Sequence, residues 1–161
     1  MLGRVLHAAT RFPRLQRLAK AGHVGVYRLT GGRLMGRWFG SPVLVLETVG
    51  RKSGRRRRTP MTYCLVDGAW IVTPINAGST RTPAWWLNLS AARRATIIVR
   101  GRRFPVTARA AEGDERERLW GRYVAEAPVL EQFRGYAQRD VPVVVLEHDG
   151  PPSAAPPRAT R

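Results

Sequence analysis

Residues 47–72 read ETVGRKSGRRRRTPMTYCLVDGAWIV, and the turn signals in this stretch decide the fold. Apolar runs rich in β-branched residues, bounded by Gly, Pro and Asp, predict short strands over 42–49 and 59–66. The Asp-Gly pair at 67–68 predicts a two-residue hairpin turn, because both residue types tolerate positive φ. The chain then returns as a third strand over 69–73. These signals together predict an antiparallel sheet.

The remainder of the chain adds helices and further hairpins. Thr82 and Pro83 are expected to start the first helix, with Thr82 as the cap and Pro83 in the first turn. Strands and helices do not alternate strictly, which argues against a doubly wound sheet. The fold class predicted is therefore mainly β with flanking helices (α+β), a small antiparallel barrel. Its other elements are helices over 83–91, 114–125 and 128–136, and strands over 95–99, 103–108 and 141–147.

Composition divides the 161 residues into three parts. Residues 40–148 contain the predicted strands and helices and form one domain. Residues 149–161, DGPPSAAPPRATR, have the Pro- and Ala-rich composition of a disordered tail. Residues 1–39 form a basic leader with an amphipathic helical pattern. This leader either packs on the domain or lies on an anionic membrane surface, as basic amphipathic helices do.

The net charge of +17 is unevenly distributed along the chain. Residues 1–111 contain 21 basic and two acidic residues, whereas residues 112–161 contain seven basic and nine acidic residues. A field of this sign attracts nucleic acid, acidic lipid headgroups or a polyanionic small molecule. The first two-thirds of the chain is therefore expected to bind an anion.

The sequence lacks the residues that several classes of enzyme need. Cys64 is the only cysteine, which excludes an internal disulfide and a cysteine-based zinc site, and it is interpreted as a small buried residue in a strand. The three histidines lie far apart, and no metal site is expected. No nucleophile is paired with a base, so an enzyme of this sequence needs a cofactor to carry its reaction.

The first candidate site is GRKSGRRRR at residues 50–58, between the first two strands. Glycines let a backbone approach an anion closely, and the guanidinium groups supply charge and forked hydrogen-bond donors. The spacing is not that of a Walker A loop, and a strand rather than a helix follows it. The loop is interpreted as a phosphate or carboxylate cradle, with a solvated basic hairpin tip as the alternative.

The second candidate site is NAGSTRTPAWWLN at residues 76–88. A loop of small residues leads into a helix whose first-turn amides can bind an anion or a polar group. Trp85 and Asn88 share one helix face, and Trp86 lies on another. Either both tryptophans belong to the core, or one of them forms the wall of a ligand pocket.

These two segments, followed by VPVVVLE at 141–147, resemble the deazaflavin-dependent nitroreductase and quinone reductase family. Members of that family are actinobacterial split-barrel proteins that use the reduced coenzyme F420. The resemblance covers roughly residues 40–148. It rests on GRKSG, the Thr-Pro pair after it, and the Pro-x-Trp-x-x-Asn-Leu pattern, in that order.

The resemblance implies a split β-barrel of the FMN-binding-like type and hydride transfer from F420, with flavin mononucleotide as a less favoured coenzyme. It also accounts for the charge, because the coenzyme carries a phosphate and an oligoglutamate tail. The coenzyme-binding residues that it implies are Arg51, Lys52, Ser53 and Arg57 for the anionic arm, Pro60 and Met61 beside the ring, Ala77 and Gly78 in the small-residue loop, and Trp85 and Asn88 on the helix. Trp86 is then left as the core tryptophan.

The substrate side departs from the family pattern. Thr62 stands where well-studied members have a tyrosine, Ile75-Asn76 replaces Ser-Lys, and Leu130 replaces another tyrosine. Phe133 and Tyr136 keep their aromatic character. Thr62, Phe133 and Tyr136 are therefore the candidates for contact with a flat acceptor such as a quinone, a nitro compound or an enone. Thr62 and Tyr136 are expected to donate hydrogen bonds rather than act as general acids, because their ordinary pKa values lie far from neutrality.

The partners expected are a small-molecule electron acceptor and an anionic membrane surface contacted through residues 1–39. Nucleic acid is not expected, because the tryptophans lie on elements that face the core and are not interleaved with the arginines. The resemblance favours a monomer in the cytoplasm, peripheral on the inner face of the cell membrane. The alternative function is a split-barrel protein that binds the coenzyme or a membrane without catalysis.

Overall fold

Eight strands form one antiparallel sheet in the computed structural model, which describes residues 37–38 and 40–150. Three α-helices and one short 3₁₀ helix accompany them in these residues. The strands are β1 (Arg37–Trp38), β2 (Ser41–Val49), β3 (Arg56–Thr62), β4 (Cys64–Val66), β5 (Ala69–Val72), β6 (Arg94–Val99), β7 (Arg102–Ala110) and β8 (Val144–His148). The helices are the 3₁₀ helix (Asn76–Gly78), α1 (Ala84–Ala92), α2 (Gly113–Glu126) and α3 (Val129–Ala137).

The sheet is closed into a barrel by the segment that contains β3 and β4. The strand order runs β1-β2-β6-β7-β8-β5-β4, and β3 pairs with the free side of β2. Because only Tyr63 separates β3 from β4, one continuous segment pairs with β2 through its first half and with β5 through its second half. The Tyr63 amide donates to the Pro42 carbonyl at 3.0 Å, where the segment changes partners. The two ends of the sheet are thus joined, which confirms the predicted split β-barrel.

The barrel interior contains the first of the apolar clusters. Alternate residues of the strands point inwards, as the period of two in a β-strand requires. Trp70, Leu44, Leu46 and Val106 are fully buried there, and α1 closes one side of the cluster with Trp85 and Leu89. This cluster places α1 directly beside the β2–β3 hairpin that carries the basic loop.

A second apolar cluster covers the outer face of the barrel beneath α2 and α3. It is formed by residues of β4, β5 and β8 together with Leu119 and Tyr123 from α2 and Leu130 and Phe133 from α3. Asp114 and Glu115 lie in the first turn of α2, where negative charge complements the helix dipole. The described residues thus include one apolar cluster inside the barrel and one between the barrel and the two helices, besides a small third cluster of Val43, Val45 and Ile98.

Most element positions follow the sequence-based prediction, and four details differ. The strand predicted over 59–66 begins at Arg56 and is divided at Tyr63. The last strand begins at Val144 rather than at residue 141. The cap predicted for Thr82 is wrong, because Pro83 occupies the N-cap position of α1 and no side chain caps the helix.

The hairpin turn predicted at residues 67–68 is confirmed, with φ values of 51° and 82° at Asp67 and Gly68. Cys64 is confirmed as a buried strand residue. The predictions of a leader over 1–39 and of a disordered tail over 149–161 fall largely outside the described residues.

Candidate functional site

The basic loop after β2 has a backbone conformation fixed by its own hydrogen bonds. The Gly50 amide donates to the Arg55 carbonyl at 2.9 Å, and the Gly54 amide donates to the Gly50 carbonyl at 2.8 Å. Gly54 has a φ of +62°, which favours glycine. A Cβ at Gly50 would lie 2.7 Å from the Ser53 hydroxyl and 3.3 Å from the Arg55 carbonyl oxygen, so a side chain there would displace Ser53 and press against the loop backbone. The loop is therefore ordered without help from its charged side chains.

Asn88 connects this loop to helix α1. The Arg51 amide donates to the Asn88 Oδ1 at 3.2 Å, across 37 residues of sequence. Asn88 is buried in the same helix face as Trp85 and Leu89. A buried side-chain amide thus holds the loop backbone against the barrel, and two segments predicted separately from the sequence meet at this contact.

Strand alternation divides the arginines that follow the loop between two faces of β3. Arg58 lies opposite Glu47 in the β2–β3 register, and Arg57 lies opposite Thr48. Directly opposed residues in an antiparallel pair point to the same face. Arg57 and Thr48 therefore share the face of Met61, which points into the barrel, and Arg58 shares the outer face with Glu47.

Glu47 neutralises the arginines of the outer face. Its carboxylate accepts hydrogen bonds from Arg58 Nε and Arg103 NH2, both at 2.8 Å, and from Arg56 NH1 at 3.5 Å. The Glu47 side chain is only 6% exposed. These arginines, led by the hydrogen bond from Arg103, hold the pKa of Glu47 below its usual value against the opposing effect of burial.

The cations of the loop and of the inner face have no such partner. Within residues 37–38 and 40–150, Arg51, Lys52, Arg55 and Arg57 form no ion pair with a carboxylate. The buried hydroxyl of Thr48, opposite Arg57, has no hydrogen-bond partner in the part of the chain that the structure describes. Buried polar groups are normally paired. Uncommitted cations beside an unpartnered hydroxyl are the donors that an anionic ligand requires.

The assignment of Trp86 as the core tryptophan is wrong. Trp85 is the buried one, at 8% exposure within the interior cluster, whereas Trp86 is half-buried and packs against that cluster from outside. The two rings meet edge to face, with centroids 6.2 Å apart. The helix turns Trp85, Asn88 and Leu89 towards the barrel because the buried loop contact and the buried leucine lie on that face.

Pro60 and Met61 are both buried on β3, but their side chains point to opposite faces. Met61 belongs to the interior cluster, on the same face as Arg57. Pro60 lies on the outer face with Arg58. Of the two ring-lining candidates, only Met61 thus presents its side chain to the barrel interior.

The substrate-side candidates gather at the second cluster. The hydroxyls of Thr62 and Tyr123 lie 2.8 Å apart, and burial raises the pKa of Tyr123 above its ordinary range. Phe133 is buried in this cluster, and Tyr136 packs against it with Ala77. Thr62, Phe133 and Tyr136 therefore lie on the helix-covered side of the barrel.

The small-residue loop before α1 has an unusual backbone. Asn76, Ala77 and Gly78 have positive φ values of 45°, 53° and 77°. Arg139 anchors this loop, since its guanidinium donates to the Pro74 and Ser79 carbonyls. The 3₁₀ helix packs on α3, so Ala77 and Gly78 lie near the second cluster.

Residues 37–38 and 40–150 contain no group of three or more acidic, histidine or cysteine side chains that is able to hold a metal ion. Among the helices of this part of the chain, none has the length and apolar character needed to cross a membrane. A cavity of about 450 Å³ between the β4–β5 hairpin, α2 and β8 contains none of the predicted site residues.

Comparisons with known proteins identify the family. The family model described as F420H(2)-dependent quinone reductase matches residues 20–148. The chain belongs to the F420H(2)-dependent quinone reductase family. An F420H(2)-dependent quinone reductase of Mycobacterium tuberculosis strain H37Rv is 35% identical over 129 residues, which span 77% of this chain and 86% of that protein.

Solved structures agree with this family. A structure described as an F420-H2 dependent reductase (FDR-A) is 28% identical, with a TM-score of 0.60, and covers 66% of this chain and 94% of its own. A structure described as a domain-swapped dimer is 25% identical, with a TM-score of 0.62, and covers 86% and 99% respectively. This F420H(2)-dependent quinone reductase family member is therefore an oxidoreductase whose coenzyme is F420, as the sequence predicts.

The residues of the loop region fit such a coenzyme. Its phosphate and oligoglutamate arm is polyanionic, and this region offers cations without a carboxylate partner and a Thr48 hydroxyl without a hydrogen-bond partner among the described residues. Sequence reasoning missed Glu47, Thr48, Tyr123 and Arg139. Of these four residues, only Glu47 could have been singled out from the sequence, because it is one of only two acidic residues in residues 1–111.

Proposed function

We propose that the loop at residues 50–55 and the inner face of β3 hold the anionic arm of F420. The observation that carries this assignment is the division of cations: Arg51, Lys52 and Arg57 have no carboxylate partner within the described residues, whereas their outer-face neighbours do. Charge-assisted hydrogen bonds from guanidinium and ammonium groups are the stronger ones that phosphates and carboxylates receive. Ser53 adds a hydroxyl at the turn.

The deazaflavin ring is assigned to the barrel end beside α1. Met61 follows Arg57 on the same face of β3, so one coenzyme can contact both residues along a single strand. Trp85 and Asn88 come from the helix that closes this part of the barrel. Pro60 is proposed to contact the coenzyme through its backbone. Ala77 and Gly78 are proposed to contact it from the loop before α1.

The acceptor is assigned to the end of β3, where Thr62 follows Met61 and the strand meets α2 and α3, so that acceptor and ring meet at this end of the strand rather than across the sheet. When bound, reduced F420 supplies the hydride. Thr62, Phe133 and Tyr136 provide a hydroxyl, an aromatic face and a phenol that can orient a flat acceptor and exclude water. Thr62 shares its hydroxyl with Tyr123, whose raised pKa keeps the phenol protonated. Both groups therefore act as hydrogen-bond partners rather than as acids that ionise near neutral pH.

A quinone is the acceptor class that the family name supports, and nitro and enone compounds are proposed as further acceptors. The test is a titration of the protein with F420 and with flavin mononucleotide side by side, followed by turnover with menadione observed through the coenzyme's visible absorbance. We expect binding of F420, weaker binding of flavin mononucleotide, and turnover. Preferential binding of flavin mononucleotide would contradict the coenzyme assignment.

We also propose that the protein is cytoplasmic and associates peripherally with the inner face of the cell membrane through residues 1–39, and that it is a monomer. The excess of basic residues in this part of the chain supports attraction to anionic lipid. Co-sedimentation with anionic and neutral vesicles tests the first assignment. Size-exclusion chromatography tests the second, with the dimer seen in a similar solved structure as the competing outcome.

A further inference from the structure

We propose that Glu47 decides where this protein captures anions. Its carboxylate neutralises the arginines on the outer face of the sheet, so that the anionic arm of the coenzyme is held only on the inward-facing side of the β2–β3 hairpin. This inference rests on the proposed function and adds a residue that acts on specificity through other residues. Glu47 is thus a positioning residue, and it is not assigned any contact with the coenzyme.

Three guanidinium groups converge on the Glu47 carboxylate. Arg56 and Arg58 reach Glu47 from β3, and Arg103 reaches it from β7, across the intervening strand β6. Their side chains are 75%, 34% and 48% exposed, whereas that of Glu47 is 6% exposed. Dissolved anions can therefore reach these arginines, and the buried carboxylate occupies the place where such an anion would bind.

Without the Glu47 carboxylate, the outer face would expose these three arginines to other anions. Three forked guanidinium groups around one point form a binding site for phosphate or carboxylate. Such a site would compete for the same polyanionic arm. Because side chains alternate along β3, an anion bound to Arg56 and Arg58 cannot also contact Arg57. Capture on the outer face would therefore hold the coenzyme away from the barrel interior.

On the inner face, no carboxylate of the described residues forms an ion pair with Arg57. Arg57 lies opposite the unpartnered hydroxyl of Thr48, and its Nε lies 3.9 Å from the position that a Cβ on Gly50 would take. Arg57 thus faces the loop whose turn is fixed by Gly50 and Asn88. The four arginines at residues 55–58 are chemically identical. Glu47 neutralises Arg56 and Arg58 on the outer face and leaves the charge of Arg57 available on the inner face.

The experiment compares Glu47→Gln with Glu115→Gln, which removes the same charge from an ion pair between α2 and Arg109, near the other end of β7 from Arg103. Three probes are titrated: F420, a deazaflavin fragment that lacks the phosphate and glutamates, and inorganic polyphosphate. For Glu47→Gln we expect unchanged fragment binding, several-fold tighter binding of polyphosphate and of F420, and about tenfold lower kcat with menadione at saturating F420, because coenzyme held on the outer face lies away from the barrel interior. For Glu115→Gln we expect less than a twofold change for all three.

Equal effects of the two variants on F420 and on polyphosphate would overturn the proposal, since only net charge would then matter. Loss of fragment binding together with F420 binding would also overturn it, because that result indicates general damage to the barrel. If the wild-type protein fails to bind F420, the proposed function itself fails, and the polyphosphate comparison still tests the role of Glu47.

A second pair of variants tests the proposal without altering Glu47, in case Glu47→Gln does not fold. Arg103→Gln leaves Arg56 and Arg58 neutralised, so we expect F420 binding within about twofold of wild type. Arg57→Gln removes a cation of the inner face and is expected to weaken binding about tenfold or more. Equal losses in Arg103→Gln and Arg57→Gln would show that both faces hold the anion, which contradicts the proposal.

Discussion

The basic loop and the helix-covered side of the barrel are built in opposite ways. The loop forms its turn within six consecutive residues, from the Gly50 amide to the Arg55 carbonyl, and its side chains are exposed. On the other side, Thr62 meets Tyr123 across 61 residues, and Cys64 meets Glu126 across 62. One candidate site is thus formed by local backbone geometry and the other by tertiary contacts.

This difference explains which residues tolerate change. The loop depends on glycines at two fixed positions and on charge, and both are visible in a short motif. The helix-covered side depends on the fit of α2 and α3 over the outer sheet face, so one substitution can be balanced by another. Departures from the family pattern at Thr62, Ile75 and Leu130 fall on this second side.

The largest expected effect concerns the two tryptophans of α1, which lie next to both regions. Trp85→Ala removes a buried side chain from the interior cluster and should cost about 3–5 kcal/mol of stability. Trp86→Ala removes a half-buried side chain and should cost about 1–2 kcal/mol. Urea unfolding of both variants measures the difference. A larger loss for Trp86→Ala would restore the orientation of α1 that the sequence suggested.

The tryptophans also show how far the sequence can be interpreted. Spacing places Trp85 and Asn88 on one helix face and Trp86 on another, and that relation is confirmed. Spacing alone does not show which face meets the barrel, because both faces are apolar. The choice depends on the contact between Asn88 and Arg51, which joins segments 37 residues apart.

The fold itself was predictable because its turns are local. The Asp-Gly pair and the glycines of the basic loop fix two hairpins without reference to the rest of the chain. The break at Tyr63 was not predictable, since the apolar run continues through it. Its cause is a change of partner strand from β2 to β5, which no local pattern records.

The second prediction tests whether the loop acts through charge. Replacing Arg51 and Lys52 together with Ala should weaken F420 binding about 100-fold or more, because two charge-assisted contacts are lost. The loss should shrink as salt rises, since screening weakens exposed charges. A titration at low and high ionic strength measures both effects.

The matched control for that variant is Arg118→Ala with Arg122→Ala, which removes two exposed arginines of α2 on the helix-covered side of the barrel. We expect this control to bind F420 within about threefold of wild type, through the weaker overall field alone. Equal losses in the two double variants would show that net charge, rather than this loop, captures the coenzyme.

The third prediction separates the geometry of the loop from its charge. Asn88→Ala removes the acceptor for the Arg51 amide and should weaken F420 binding about five- to tenfold, as the loss of one buried hydrogen bond does. The change is expected in the coenzyme KM, with kcat little altered at saturation. Ser90→Ala, on the exposed face of the same helix, is the control. Unchanged KM in Asn88→Ala would mean that the loop holds its shape without α1.

The smallest effect lies on the helix-covered side and appears only at high pH. Burial raises the pKa of the Cys64 thiol to about 12, and the hydrogen bond to Glu126 acts in the same direction. The unfolded chain holds this proton less tightly, so above the ordinary thiol pKa the folded state binds more protons than the unfolded state. Stability contributed by the neutral thiol is therefore complete below about pH 8.5 and is lost as the pH rises towards 12.

Cys64→Ala removes this dependence, so its free energy of unfolding should fall less steeply with pH than that of wild type. Between pH 8 and pH 10 the free energy of unfolding of wild type should fall by about 1 to 2 kcal/mol more than that of Cys64→Ala. Urea unfolding at several pH values measures both proteins. If the unfolding free energies of the two proteins fall with pH at the same rate, water reaches the Cys64 thiol. The helix-covered side would then be as open to solvent as the loop, and the contrast between the two regions would be lost.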